Sequence, residues 1–171
     1  MKHIFILAIF FNFGFASINS IKSFEAEFIQ SVTDDKNKVL TYTGHVIATN
    51  EQNAIWKYIK PIRKDIYVNA FNVTIVEPEI EQVIIRKLEF SIDFFNIIKN
   101  AKKIKKDLFE AVYKESKFTI TTQNELINSI SYVDDFENNV KVVFDKQIQN
   151  EEVDLEVFTP NIPLEFDIIR D

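Results

Sequence analysis

The sequence predicts a mainly β fold, one antiparallel sheet of about eleven strands carrying a single helical insert. Three observations support this. Apolar and polar residues alternate with period two in one run after another. Turn-forming clusters separate many of the runs at hairpin distances. A helical period is found in one stretch, 91–108. The first strand is read from Phe24 to Val32, with positions 24, 26, 28, 30 and 32 on one side and Glu25 and Glu27 on the other. Further runs follow at 39–49, 54–60, 64–70, 72–76, 81–90, 109–114, 117–122, 126–133, 140–145 and 152–158. Asp34-Asp35-Lys36-Asn37, Lys60-Pro61, Glu77-Pro78, Glu115-Ser116-Lys117 and the segment 134–139 are the clearest turn signals. In the exceptional stretch Ser91 can cap a helix and Asp93 suits its first turn, while apolar residues recur at 94, 97, 98, 101, 104 and 108. Lys99, Lys102, Lys103, Lys105 and Lys106 mostly fall on its other faces, and Asn100 is the place where it could break.

Such a sheet has an apolar face that must meet something. One amphipathic helix and a short N-terminal piece are too small to cover eleven strands. Either the sheet curls on itself into a barrel, or it leaves an apolar hollow under a helical lid.

The chain begins with a short basic start, Met1-Lys2-His3, then an apolar run from Ile4 to Phe13, then Gly14-Phe15-Ala16. Small residues at −3 and −1 of a cut after Ala16 complete the layout of a secretory signal peptide. Residues 1–16 are therefore expected to be removed, leaving 17–171 as a single domain. The apolar run is too short to span a bilayer, which takes ~20 residues. Without Lys2 the mature chain has 19 basic against 26 acidic groups, a net of −7. An acidic balance argues against nucleic acid as the main partner. The chain has no cysteine. That excludes disulfides, thiolate metal sites, cysteine nucleophiles and a lipid anchor attached through cysteine.

Signals for catalysis are weak. After signal removal His45 is the one histidine left, within a strand, and is read as a surface or packing residue. Glu77, Glu79 and Glu81 lie two apart around Pro78 and could share a face, but a proline-marked bend is more often a solvated turn. There is no G-x-S-x-G, phosphate loop, dinucleotide fingerprint or H-E-x-x-H. The expectation is a non-enzyme without cofactor or metal. The lysines at 99–106 are read as a solvated helix face, with anionic lipid or an acidic partner as the sharper alternative.

Several segments resemble one family in residues and spacing. Ser23-Phe24-Glu25-Ala26-Glu27-Phe28-Ile29-Gln30 is similar to the opening strand, F-x-A-x-F-x-Q, of the periplasmic lipoprotein carrier family LolA. Gly44 stands where that family has a glycine, and Ile55-Trp56-Lys57-Tyr58-Ile59-Lys60-Pro61 resembles its tryptophan strand. Glu77-Pro78-Glu79-Ile80-Glu81-Gln82-Val83 resembles its N-P-x-x-x-Q stretch. Phe158-Thr159-Pro160, Pro163 and Asp167-Ile168-Ile169 resemble its closing motif. The resemblance covers about 20–171. It implies an unclosed antiparallel β-barrel under a helical lid, with an apolar cavity for the acyl chains of lipoproteins. It also implies an inner-membrane ABC exporter of the LolCDE kind as donor and an outer-membrane acceptor as recipient. The acceptors share the fold but are anchored through cysteine, so this chain resembles the soluble carrier, as a monomer. Where the family commonly has Lys-Arg-Pro, with an arginine that latches the lid, this chain has Thr49-Asn50-Glu51, and Asn50 offers no cation.

On this reading the cavity residues are Phe24, Phe28, Ala54, Trp56 and Tyr58, the last three on one face of a strand, and the lid residues are Phe94, Ile97, Ile98 and Ala101. A lipoprotein-sensing envelope-stress regulator, or another lipid-binding module of the same half-barrel, is the alternative. Such regulators usually add a second domain.

Overall fold

The computed structural model describes residues 18–87 and 94–170. The expected signal segment 1–16, and Ser91 and Asp93 at the start of the expected helix, lie outside the described residues. Twelve strands form one sheet: β1 (Ser23–Thr33), β2 (Val39–Thr49), β3 (Asn53–Lys60), β4 (Lys64–Val68), β5 (Asn72–Glu77), β6 (Gln82–Lys87), β7 (Lys102–Lys105), β8 (Leu108–Tyr113), β9 (Ser116–Gln123), β10 (Leu126–Val133), β11 (Asn139–Gln149) and β12 (Asp167–Arg170). Their order is β12-β6-β5-β4-β3-β2-β1-β11-β10-β9-β8-β7, so the edges β12 and β7 do not pair and the sheet stays open.

Two runs of hairpins, β1 to β6 and β7 to β11, meet where β1 pairs with β11 in the register Phe28↔Phe144 and Val32↔Val140. Local turn chemistry makes most of the other joins. Asp34 Oδ1 accepts from the backbone N–H groups of Lys36 and Lys38, and Asp134 Oδ1 does the same for Phe136 and Asn138. Gly44 is needed for close approach. A Cβ there would fall 2.6 Å from Phe28 Cζ and against the carbonyl oxygen of Lys57, which the β2–β3 ladder fixes.

Alternation decides which side is core. On β1, Phe24, Ala26 and Phe28 are buried, while Glu27 and Ile29 between and beyond them are exposed. One cluster gathers the buried face of both halves of the sheet, from Val46 and Ala48 to Phe118, Ile120 and Val142. The sheet must curl to achieve this. Ile75 on β5 and Ile130 on β10 line the same cavity, yet six strand spacings of ~4.8 Å would part them by roughly 29 Å in a flat sheet.

Three expectations are corrected. The expected helix 91–108 is helical within the described residues over α1 (Phe94–Lys99), and residues 102–105 form β7 instead. Asn100 ends α1: its backbone N–H and its side chain both donate to the carbonyl oxygen of Asn96. Beyond it, pairing of Lys102 with Glu110 and of Lys103 with Phe109 satisfies the backbone in a ladder, and Ile104 is left exposed. The expected strand 152–158 contains a 3-10 turn, Leu155–Phe158, with Asp154 accepting from the N–H of Glu156. It belongs to a strap, 150–166, that packs on β3. Ile55, Val76 and Val83 are buried on the side of the sheet away from the main core, where this strap lies. Finally, β12 adds a twelfth strand at the end of the strap. It pairs in parallel with β6, Asp167 opposite Gln82, and is the one parallel pair in an otherwise antiparallel sheet of described residues.

Candidate functional site

The concave side of the curled sheet carries α1 across it. The helix is six residues long, and Phe94, Phe95, Ile97 and Ile98 are all buried. Phe94 packs its ring 4.9 Å from Phe24, 6.1 Å from Trp56 and 6.0 Å from Phe144, measured between centroids. Ile97 and Ile98 are each 1% exposed, and Ala101 just past the helix is also buried. The four expected lid residues thus share one core with Phe24.

What holds the helix down is a residue that the sequence did not single out. Asn19, in the 3-10 turn Ile18–Ser20, donates from Nδ2 to the carbonyl oxygens of Ile98 (2.9 Å), Lys99 (2.8 Å) and Ala101 (3.2 Å). The last carbonyls of a helix have no partner within it, and this amide supplies one. Ile18 and Ile21 bury themselves on either side of it. No local pattern points to Asn19, since its partners lie about 80 positions away. Asn50, at the family's latch position, is exposed and gives its backbone N–H to the carbonyl of Lys22 (2.8 Å). With Asn19, Gln52, Asn96 and Lys99 it lines a small polar recess beside the helix.

Beside the helix, reached through the Trp56 and Phe144 rings on which Phe94 packs, lies an apolar cavity of about 310 Å³ lined by the strands. One wall comes from β3 to β5, with Trp56, Tyr58, Ile66 and Ile75 prominent. The other comes from β10 and β11, with Ile130, Tyr132, Val142 and Phe144. Of the five residues expected from sequence, Trp56 and Tyr58 line this space. Phe28 stands behind both, its ring 5.2 Å from Trp56 and 5.1 Å from Tyr58. Phe24 lies under Phe94, and Ala54 is buried in the surrounding core. The wall from β10 and β11 was absent from the sequence reading. Its signal was the alternation Ile130/Tyr132 and Val140/Val142/Phe144, but nothing local says that this face curls round to meet β3.

The polar atoms in the cavity satisfy each other. Tyr58 Oη donates to Gln30 Oε1 at 2.7 Å. Burial, reinforced by Tyr132 and Tyr42, pushes the Tyr58 hydroxyl far above the usual tyrosine range. Burial, with Asp134 adding to it, pushes Tyr132 up to about 12. Both groups are raised in the folded state, so their contribution to stability is present below the unfolded value near 10. It is lost as pH climbs from there towards about 12. Unfolding midpoints followed by tryptophan fluorescence should therefore hold steady from pH 7 to about 9 and fall above about 10. In Tyr132→Phe that fall should be shallower.

Away from the cavity, His45 Nε2 lies 3.0 Å from Glu25 Oε1 at the partly exposed outer face of β1 and β2. Glu79 and Glu81 are exposed about the 3-10 turn Pro78–Ile80. No group of three or more His, Cys, Asp or Glu among the described residues is arranged to hold a metal ion. No helix among them is long and apolar enough to cross a membrane.

The family model described as outer membrane lipoprotein carrier protein LolA matches residues 19–161. The chain belongs to the LolA family. A relative from Campylobacter jejuni, named outer-membrane lipoprotein carrier protein, is 39% identical over 169 residues, covering 99% of each chain. One of the same name from Wolinella succinogenes is 31% identical over 156 residues, 91% of each. Among solved structures, a LolA superfamily protein from Nitrosomonas europaea aligns with a TM-score of 0.51 at 9% identity, over 82% of this chain and 91% of its own. An uncharacterized conserved protein from Thermus thermophilus aligns with a TM-score of 0.54 at 8% identity, over 90% and 93%. At such identities these two speak for the LolA fold alone.

Proposed function

We propose that this chain is a periplasmic lipoprotein carrier, which shelters the acyl chains of lipoproteins released from the inner membrane and ferries them towards the outer membrane. The observation that carries this reading is the apolar cavity between the two halves of the curled sheet, with a short apolar helix packed at its side on Trp56 and Phe144. Membership of the LolA family supports it, and so do the names of the relatives. Each buried CH₂ is worth ~0.8 kcal/mol, so one sixteen-carbon chain gains roughly 12 kcal/mol by leaving water. A lipoprotein carries up to three such chains. The cavity, at about 310 Å³, is at the small end of the ~300–1,000 Å³ usual for ligand pockets. Cargo must therefore lift α1 and take over the apolar surface that Phe94 covers on Phe24, Trp56 and Phe144. In this proposal Phe24, Phe28, Ala54, Trp56 and Tyr58 contact the acyl chains, and Phe94, Ile97, Ile98 and Ala101 form the movable roof.

Release needs a diffuse hold, which dispersion contacts with aliphatic and aromatic walls supply, each of them small. An ABC exporter at the inner membrane would load the carrier and an outer-membrane acceptor would unload it, with residues 17–171 acting as one carrier domain after cleavage behind Ala16. Native mass spectrometry of the protein recovered from its own periplasm tests the reading. The expected result is a one-to-one complex with intact lipoprotein. A lipid-free complex with a regulatory protein would replace carriage by sensing.

A further inference from the structure

We propose that the lysine strip running from the end of α1 through β7 is a docking surface for an anionic bilayer, and that it brings the apolar helix α1 to the membrane. This rests on the carrier reading and adds to it the surface at which cargo is exchanged. Lys99, Lys102, Lys103, Lys105 and Lys106 are all exposed, and Ile104 in their midst is 55% exposed. From Lys99 to Lys117 there are seven lysines and three carboxylates, in a chain whose net charge is −6. The stretch is left with a net of +4: Glu110 and Lys117 pair with each other at 2.8 Å, and Asp107, which accepts from Thr122 Oγ1 at 3.3 Å, keeps its charge. The positive charge is thus concentrated beside the lid, while the acidic excess lies elsewhere in the chain.

The geometry favours a flat anionic surface over a protein strand. Lys102 and Lys103 are neighbours on a strand and so point to opposite faces, and Lys106 stands in the turn after β7. The charges therefore fan around a rim and line no groove. Adding a partner strand to this edge is discouraged by its four-residue length, by its lysines and by the register shift between Lys103 and Lys105. The ladder to β8 keeps the strip with the sheet, so α1 can lift at its other end while the rim stays docked. Ile104 is placed to enter the headgroup layer. Each lysine near an anionic surface strengthens partitioning about fivefold, an effect confined to a Debye length of ~10 Å at 0.1 M salt.

The test is cosedimentation of the purified protein with vesicles of equal parts phosphatidylglycerol and phosphatidylcholine, and with phosphatidylcholine alone, at about 25 mM and about 300 mM salt. The wild type is expected to bind the anionic vesicles at low salt, to bind them less at high salt, and to ignore the neutral ones. The combined variant Lys102→Gln, Lys103→Gln, Lys105→Gln and Lys106→Gln should partition several hundred-fold more weakly, at about fivefold per lysine. It should keep its unfolding midpoint and its uptake of a fluorescent fatty acid in solution. No wild-type binding to anionic vesicles, or equal binding by the variant, overturns the proposal and leaves the lysines as edge protection. Binding to polyglutamate but not to the vesicles overturns it in favour of an acidic protein. Loss of fatty-acid uptake by both proteins, with vesicle binding intact, would strike the carrier reading and not the docking surface.

Discussion

Ile98→Glu is expected to abolish cargo pickup while the sheet stays folded. Ile98 is 1% exposed in α1, the helix proposed as the lid, and its own carbonyl oxygen is one of those that Asn19 holds. A carboxylate cannot stay there unpaired without a cost of several kcal/mol, so the helix lifts or the group protonates. Either way an acyl chain in the cavity loses its apolar cover and meets charge or water. Much of the core is built on the strands: Phe118, Ile120, Ile127 and Val46 are almost fully buried there, and the β1–β2, β1–β11 and β10–β11 ladders are made strand to strand. Pickup of a labelled lipoprotein should fall to background, while hydrogen exchange still reports protected amides in β1, β2, β10 and β11. Phe136→Glu, at a site 85% exposed in the turn after β10, is the control and should change neither readout. Undiminished pickup by Ile98→Glu would remove α1 from the carrier mechanism.

The second large effect concerns the cavity itself. Ile75 faces it from β5, opposite Ile66 on β4, and is only half-buried because the space before it is empty. Ile75→Trp would place an indole in that space. Stability should change by less than about 1.5 kcal/mol, since filling a void offsets the strain of a larger side chain. Titration with a fluorescent fatty acid should show affinity down by roughly tenfold or more, the equivalent of about two buried CH₂ groups. Urea unfolding checks the first expectation. A folded variant with unchanged uptake would move the acyl site away from this cavity.

Closure of the empty state follows from Asn19. The family's latch arginine is missing at Asn50, and the structure holds the helix with a neutral amide from the N-terminal turn instead. Neutral hydrogen bonds contribute about 0.5–1.5 kcal/mol each; the amide has two hydrogens to share among the three carbonyls, so it holds α1 with about two bonds' worth, which a cargo of the proposed kind outweighs. The short segment before Phe24 supplies the clamp through Asn19.

The sequence by itself determined the strands. Period-two burial on β1 and β2 and the Asp-led turns at 34 and 134 are local chemistry, readable without a partner. Phe24 and Trp56 were legible for the same reason: each sits on the apolar face of a well-marked strand. The lysine-rich stretch was misread because its apolar spacing fits a helix, and only the open edge of β8 makes a strand the better home for its backbone. The second cavity wall, the strap behind β3 and the hold of Asn19 on α1 were decided by tertiary structure. Each joins residues that alternation can orient but cannot bring together, because curling is set by the packing of the whole sheet.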